Sequence, residues 1–166
     1  MKLKIDFVKL AASLVVCFLA AAVGSVFTMP AIPTWYATLA KPGFAPPNWI
    51  FGPVWTVLYV LMALSLYLVW MEYDRAKYKK RDIIGPALWM FGVQLVLNAV
   101  WSFLFFGLRS PFYGLIGIIL VWLAIVMTMI KFWKISKASV WLLVPYILWV
   151  SFATIVAFFV WQLNPV

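Results

Sequence analysis

The sequence predicts an all-α integral membrane protein, a bundle of five transmembrane helices in one domain. Three observations carry that prediction. Of the 166 residues, 67% are hydrophobic and only 10% are charged, too little polar surface for a soluble domain of this size. No Asp, Glu, Lys or Arg occurs in Leu10–Ala40, Pro42–Met71, Ile83–Leu108, Ser110–Ile130 or Ala138–Val166, and each gap holds the roughly 20 residues that a helix needs to cross the hydrocarbon. Between the gaps, basic residues alternate from dense to sparse, as a chain that weaves through a membrane requires. Lipid cannot satisfy free backbone polar groups, and the period-two alternation of a barrel is not visible, so the spans are helices.

The first span covers about 7–29. Lys2, Lys4 and Lys9 precede it, the pattern of a signal peptide, but the apolar run continues past the length of an h-region and favours an anchor. Ser13, Cys17, Ala20 and Gly24 form a narrow strip along it, suited to close approach of another helix. Cys17 is the sole cysteine, which rules out an intramolecular disulfide and fits a small packing residue.

Residues 30–48, PAIPTWYATLAKPGFAPPN, follow. Five prolines and Gly43 exclude one continuous helix, while Trp35, Tyr36, Leu39 and Phe44 are too apolar for a solvated tether. A short amphipathic turn at Thr34–Ala40, folded as a lid over the mouth of the bundle, is expected. The alternative is that these rings float at headgroup level.

The second span, about 49–71, carries Phe51, Trp55, Tyr59 and Met62 on one helical face. A charged link, Glu72–Asp82, leads to the third, about 83–107, which opens with Gly85-Pro86 in its first turn. Its stripe is Gln94, Asn98, Trp101 and Phe105, with the only amide side chains inside the spans. The fourth span, about 112–132, and the short link Lys131–Lys137 precede the fifth, about 139–161. There Pro145 is expected to bend the helix, and Tyr146, Trp149, Ala153 and Val156 or Ala157 share a face. Trp49, Trp70, Trp133 and Trp161, near span ends, read as belt residues.

Charge orients the bundle. Eleven of the 13 basic residues lie before span one, between spans two and three, or between spans four and five; Lys41 and Arg109 alone occupy the other side. The positive-inside rule then puts the amino terminus in the cytoplasm and the carboxyl terminus outside. A multi-pass protein of the plasma (inner) membrane is expected, with the mitochondrial outer membrane as the alternative for a eukaryotic chain. The net charge of +9 is thus a topology signal, and no basic folded face marks a nucleic-acid partner.

Absences narrow the chemistry. There is no histidine, hence no imidazole ligand or base, and no metal site is expected. No carboxylate lies inside a span, which removes the usual proton or sodium relay of ion-coupled transporters. No phosphate-binding loop and no CxxC motif occur, so no cofactor is expected. What remains is 11 Trp, 14 Phe and 7 Tyr. Facing inward, the stripes would enclose an apolar cavity with a few orienting polar groups, whose flat walls suit a planar conjugated ligand. Trp55, Tyr59, Gln94, Asn98, Trp101, Tyr146, Trp149 and Ala153 are the candidate ligand-binding residues. Ordinary helix packing, with the amides as interhelical glue, explains the same stripes.

The stretch Trp35–Tyr59, WYATLAKPGFAPPNWIFGPVWTVLY, resembles the translocator protein family, also called tryptophan-rich sensory proteins or peripheral benzodiazepine receptors. Further matches are Gln94-Leu95, Leu97-Asn98 and Trp101, Phe105-Phe106-Gly107, and Pro145-Tyr146, Trp149 and Phe152-Ala153-Thr154. The resemblance covers nearly the whole chain. It implies a five-helix bundle, often a homodimer, here with Ala87 and Gly92 as thin small-residue support for one. It also implies a membrane receptor or sensor whose pocket opens toward the first loop and binds tetrapyrroles such as protoporphyrin IX. Carried over by motif, Tyr36, Trp55, Asn98, Trp101, Trp149 and Ala153 line that pocket. Light-dependent porphyrin degradation, which the resemblance ties to Trp55 and Trp149, is the only catalysis expected, and carriage of tetrapyrroles or lipids across the membrane ranks below it. The sequence also departs from the animal pattern. Phe158 and Gln162 stand where the cholesterol motif ends in Tyr and Arg, Val69, Tyr73 and Arg75 match only a loose version, and Ala99 follows Asn98 in place of a second Trp.

Overall fold

A computed structural model describes residues 5–75 and 78–165, with the side chains of all of these but 74–75 and 78–80. Lys2, Lys4 and Lys77, and the side chains of Arg75, Lys79 and Lys80, therefore lie outside the described residues. Among the described residues, five helices are long and apolar enough to cross a membrane. They are α1 (Phe7–Ala31), α3 (Phe51–Arg75), α4 (Tyr78–Ser102), α5 (Pro111–Trp133) and α6 (Lys137–Leu163), with a one-turn helix α2 (Trp35–Thr38) in the first long loop. No strand occurs among the described residues.

Side chains set where the helices start. Asp6 caps α1 by accepting from Lys9 N at 3.1 Å, and Ser110 caps α5 by accepting from Tyr113 N at 3.3 Å, with Pro111 beginning the helix. Ser136 caps α6 through Ser139 N. Each cap satisfies a donor that the first turn leaves without an intrahelical partner. Pro111 gives up nothing at that position, because its missing N–H would have been unpaired.

Two boundaries differ from the sequence expectation. Helix α1 runs through Pro30 to Ala31, since a proline in a final turn loses one bond without stopping the helix. Helix α4 begins at Tyr78, so Gly85-Pro86 lie inside it and not in its first turn. Pro86 cannot donate to the Asp82 carbonyl, and Asp82 is exposed, so that acceptor is not sealed in the bundle interior.

Helix α4 packs on α5, α5 on α6, α1 on α3 and α4, and α3 on α6. Hydrogen bonds cross these seams: Ser65 Oγ donates to Ser139 O (2.8 Å), Trp101 Nε1 to Gly114 O (3.0 Å), and Trp122 Nε1 to Ser151 Oγ (2.8 Å). In lipid such bonds and close packing hold helices together, because burial in hydrocarbon gives no advantage over lipid. Gly114 and Gly117 allow α5 to lie close against α4; a Cβ on Gly114 would collide with the Phe105 ring.

Past Ser102, α4 widens into a π-helical turn, Phe103–Gly107, with Leu108 N donating to Phe103 O (2.8 Å). The extra residue in that turn brings two consecutive rings inward. Phe105 and Phe106 are both buried, perpendicular to one another with centroids 4.8 Å apart. Beside them sits Tyr36 from the loop, 6.0 and 5.8 Å from the two rings.

Candidate functional site

The site begins with two helical stripes that face each other. Trp55 and Tyr59 stand one turn apart on α3, and Asn98 and Trp101 lie on α4. The Trp55 ring is 5.8 Å from Tyr59, 6.3 Å from Trp101 and 6.2 Å from Tyr146 of α6. Tyr59 Oη donates to Asn98 Oδ1 at 3.0 Å, and Asn98 Nδ2 donates to Tyr146 Oη at 2.7 Å. One amide thereby joins α3, α4 and α6 in the interior, where an unpaired hydroxyl would be costly.

These residues border a cavity of about 300 Å³ between α1, α3 and α4. Phe18, Gly24, Ser25 and Thr28 of α1, Trp55, Thr56 and Tyr59 of α3, and Asn98, Trp101 and Ser102 of α4 line it. That volume lies at the lower edge of the roughly 300–1,000 Å³ typical of ligand pockets. The lining is aromatic with a few hydroxyls and one amide. Asn98 keeps a second amide hydrogen beyond the bonds it already makes.

A second cavity lies under the loop and against α6. Tyr36, Pro46, Phe51, Trp101, Trp149 and Ala153 are among its walls, and its volume is about 40 Å³, well below the roughly 150 Å³ of an engineered cavity that accepts benzene. Phe51, Trp101 and Phe106 belong to both cavities and form the partition. Helices α3, α4 and α6 thus do not surround one shared void. Trp55 and Trp149 stand in adjacent compartments, and Trp149 with Phe152 also borders a groove of about 570 Å³ on the outer face of α3 and α6.

The predicted residues therefore divide. Trp55, Tyr59, Asn98 and Trp101 line the larger cavity, while Tyr36, Trp101, Trp149 and Ala153 line the smaller. Tyr146 is fully buried behind Asn98 and borders neither. Gln94 also borders neither: it is 1% exposed, its Nε2 lies 3.9 Å from Met62 Sδ, and its Oε1 has no partner. Trp149 Nε1 is another buried polar atom without a partner.

Sequence reasoning missed the α1 wall, Gly52 and Thr56, and Ser102 and Phe106. Gly24 was legible as part of a small-residue strip, and that strip does face inward: Ser13, Cys17 and Gly24 are buried. The hydroxyls beside it, Ser25 and Thr28, were the unused signal. Phe106 was marked only by the Phe105-Phe106-Gly107 match, and helical spacing gave no sign that it faces inward, because the π-turn directs it there.

The loop packs onto the bundle through Tyr36, whose ring meets Phe51, Phe105 and Phe106. Tyr36 is 3% exposed, and desolvation raises its phenol above the ordinary tyrosine value. Lys41 Nζ donates to Tyr36 O (2.6 Å) and Leu39 O (3.2 Å) and sits 4.5 Å from the Tyr36 ring centroid. Desolvation lowers the pKa of its ammonium. Asn164, past the end of α6, grips Ala40 through both backbone groups, Ala40 N to Oδ1 at 3.0 Å and Nδ2 to Ala40 O at 2.9 Å.

This geometry meets a family profile that spans nearly the whole chain: the TspO/MBR family model matches residues 13–162. The chain belongs to the TspO/MBR family. It is 43% identical over 150 residues to the tryptophan-rich protein TspO of Chlorobaculum tepidum, covering 90% of this chain and 91% of that one. With the protein of the same name from Archaeoglobus fulgidus it shares 40% over 161 residues, 96% of this chain and 99% of the relative. The human translocator protein is 37% identical over 130 residues, covering 78% and 75%. This TspO/MBR protein is therefore a multi-pass membrane protein, and the residues lining the two cavities fall inside the matched region.

Proposed function

We propose that this protein is a membrane receptor or sensor that binds a planar conjugated hydrophobe, foremost a tetrapyrrole such as protoporphyrin IX, between α1, α3 and α4. One observation carries the reading: the Trp55 and Trp101 rings, inclined by only 32° with centroids 6.3 Å apart, present indole surface to a cavity of about 300 Å³ whose one amide is Asn98. Planar ligands gain from offset contact with such rings, and the amide supplies orientation. The names carried by relatives, translocator protein and tryptophan-rich sensory protein, support the same reading. The first loop acts as the lid. The ligand site comprises Trp55, Tyr59, Asn98 and Trp101, extended by Tyr36, Trp149 and Ala153 when the partition shifts. The amino terminus is cytoplasmic, and a homodimer is the working assembly.

The test is a titration of protoporphyrin IX into the reconstituted protein with tryptophan emission as readout. Saturable quenching that weakens in Trp55→Phe and Trp101→Phe supports the reading. Emission that stays flat across the titration defeats it.

A second reading, light-dependent porphyrin breakdown, is favoured by the ring contacts of Trp55. A photoexcited ligand resting on that indole is close enough to exchange an electron with it. The porphyrin absorption band should then bleach under illumination, faster with wild-type protein than with Trp55→Phe, and persist in the dark. Equal bleaching without protein removes this reading.

A further inference from the structure

Resting on the ligand reading above, we infer that the ligand reaches the cavity sideways from the lipid, through the seam between α1 and α3 in the half of the bilayer next to the loop. The path from water is shut. The loop covers that end with Tyr36 buried, Lys41 bound to two carbonyls and Asn164 clamped on Ala40.

The flank facing lipid is different. Residues that line the cavity are also exposed at the bundle surface: Phe18 at 38% and Met29 at 71% on α1, and Gly52 and Thr56 on α3. A Cβ at Gly52 would meet nothing within 4 Å, so the backbone there borders open space. The seam's hydroxyls do not tie the two helices together. Ser25 Oγ donates to Ala22 O, Thr28 Oγ1 to Gly24 O and Thr56 Oγ1 to Gly52 O, each within its own helix. That pairing satisfies them in lipid and leaves the helices free to part. At the far end the start of α1 is held to α3, where Asp6 N donates to Tyr67 Oη at 3.2 Å. The pair is pinned at one end and unpinned at the other, which is the arrangement of a wedge that opens toward lipid.

A planar hydrophobe concentrates in the bilayer before it meets the protein, so this route matches where the ligand is. A Cβ at Gly52 meets no other atom and leucine is a better helix former than glycine, so Gly52→Leu adds bulk at the opening at little cost to the helix. With protoporphyrin IX preloaded in phosphatidylcholine vesicles, Gly52→Leu should slow the quenching of tryptophan emission by about tenfold. Freeing the loop with Asn164→Ala should not accelerate it. Acceleration by Asn164→Ala with no slowing by Gly52→Leu overturns the lateral route while leaving binding intact. Absence of saturable quenching in the wild type overturns the ligand reading itself. A second measurement needs no ligand. Gly52→Cys, in a Cys17→Ser background, should react with a lipid-soluble maleimide and resist a charged, membrane-impermeant thiol reagent. Equal or reversed reactivity overturns the proposal.

Discussion

Asn164 reads the backbone of Ala40 as a strand partner would, accepting from its N–H and donating to its carbonyl across 124 residues of sequence. A third bond, Nδ2 to Val160 O at 2.7 Å, fixes the amide to the end of α6. The carboxyl-terminal end of α6 therefore holds the first loop in place.

Replacing Asn164 by Ala removes both bonds to the loop, each contributing about 0.5–1.5 kcal/mol net. Amide exchange across residues 35–41 should quicken while exchange in the α3 and α6 interiors stays as slow as in the wild type. Uniform protection in both proteins would mean that the clamp does not hold the loop.

The Tyr59–Asn98–Tyr146 chain makes a sharper demand on stability. Asn98→Leu leaves two hydroxyls without their amide partner in an apolar interior, at a cost of about 1–3 kcal/mol. Tyr146→Phe removes a hydroxyl along with its need for a partner, although Asn98 Nδ2 loses its acceptor. Thermal unfolding in detergent should rank wild type above Tyr146→Phe, and Tyr146→Phe above Asn98→Leu.

Gly114 and Gly24 separate rigid from yielding neighbours. A methyl on Gly114 meets the Phe105 ring, which is locked against Trp101 at 5.9 Å and Phe106 at 4.8 Å. Gly114→Ala should cost about 1–3 kcal/mol, the usual range for overpacking. At Gly24 the nearest atom is Ser102 Oγ at 2.9 Å, a side-chain tip that rotates away. Gly24→Ala should be milder, as paired thermal midpoints will register.

Loop docking should depend on alkaline pH in two opposed ways. The docked loop raises the Tyr36 pKa by burial, so this contribution is fully present below about pH 10 and is lost as pH rises through the docked value. Lys41, over the same ring, is lowered by desolvation, so the docked loop holds its proton less firmly and docking improves as pH climbs toward the ordinary lysine value. Docking should peak near pH 10, with Tyr36→Phe flattening the fall on the alkaline side. Thermal midpoints of wild type and Tyr36→Phe from neutral to alkaline pH check the sign.

Much of the bundle was legible before any coordinates, because membrane solvation is a coarse and stringent rule. Stretches without charge, each long enough to cross, leave the backbone no choice but helix, and the five spans appear where those gaps lie. The facing of Trp55, Tyr59, Asn98 and Trp101 followed from helical spacing. Gln94 shares that stripe yet points at Met62 away from either cavity, because periodicity specifies a face and not how far a neighbouring helix stands off. The sequence could not announce the π-turn either, since one added residue per turn is a matter of local backbone energy and ring packing.

By itself, then, the sequence determined that this chain crosses a membrane five times and lines its helices with aromatic faces, for reasons of solvation and period alone. Only the tertiary structure decided that Phe51, Trp101 and Phe106 split the interior into two compartments, that α1 supplies a wall of the larger, and that Asn164 clamps the loop. Those outcomes depend on contacts between residues far apart in the chain, whose distances are set by how whole helices pack.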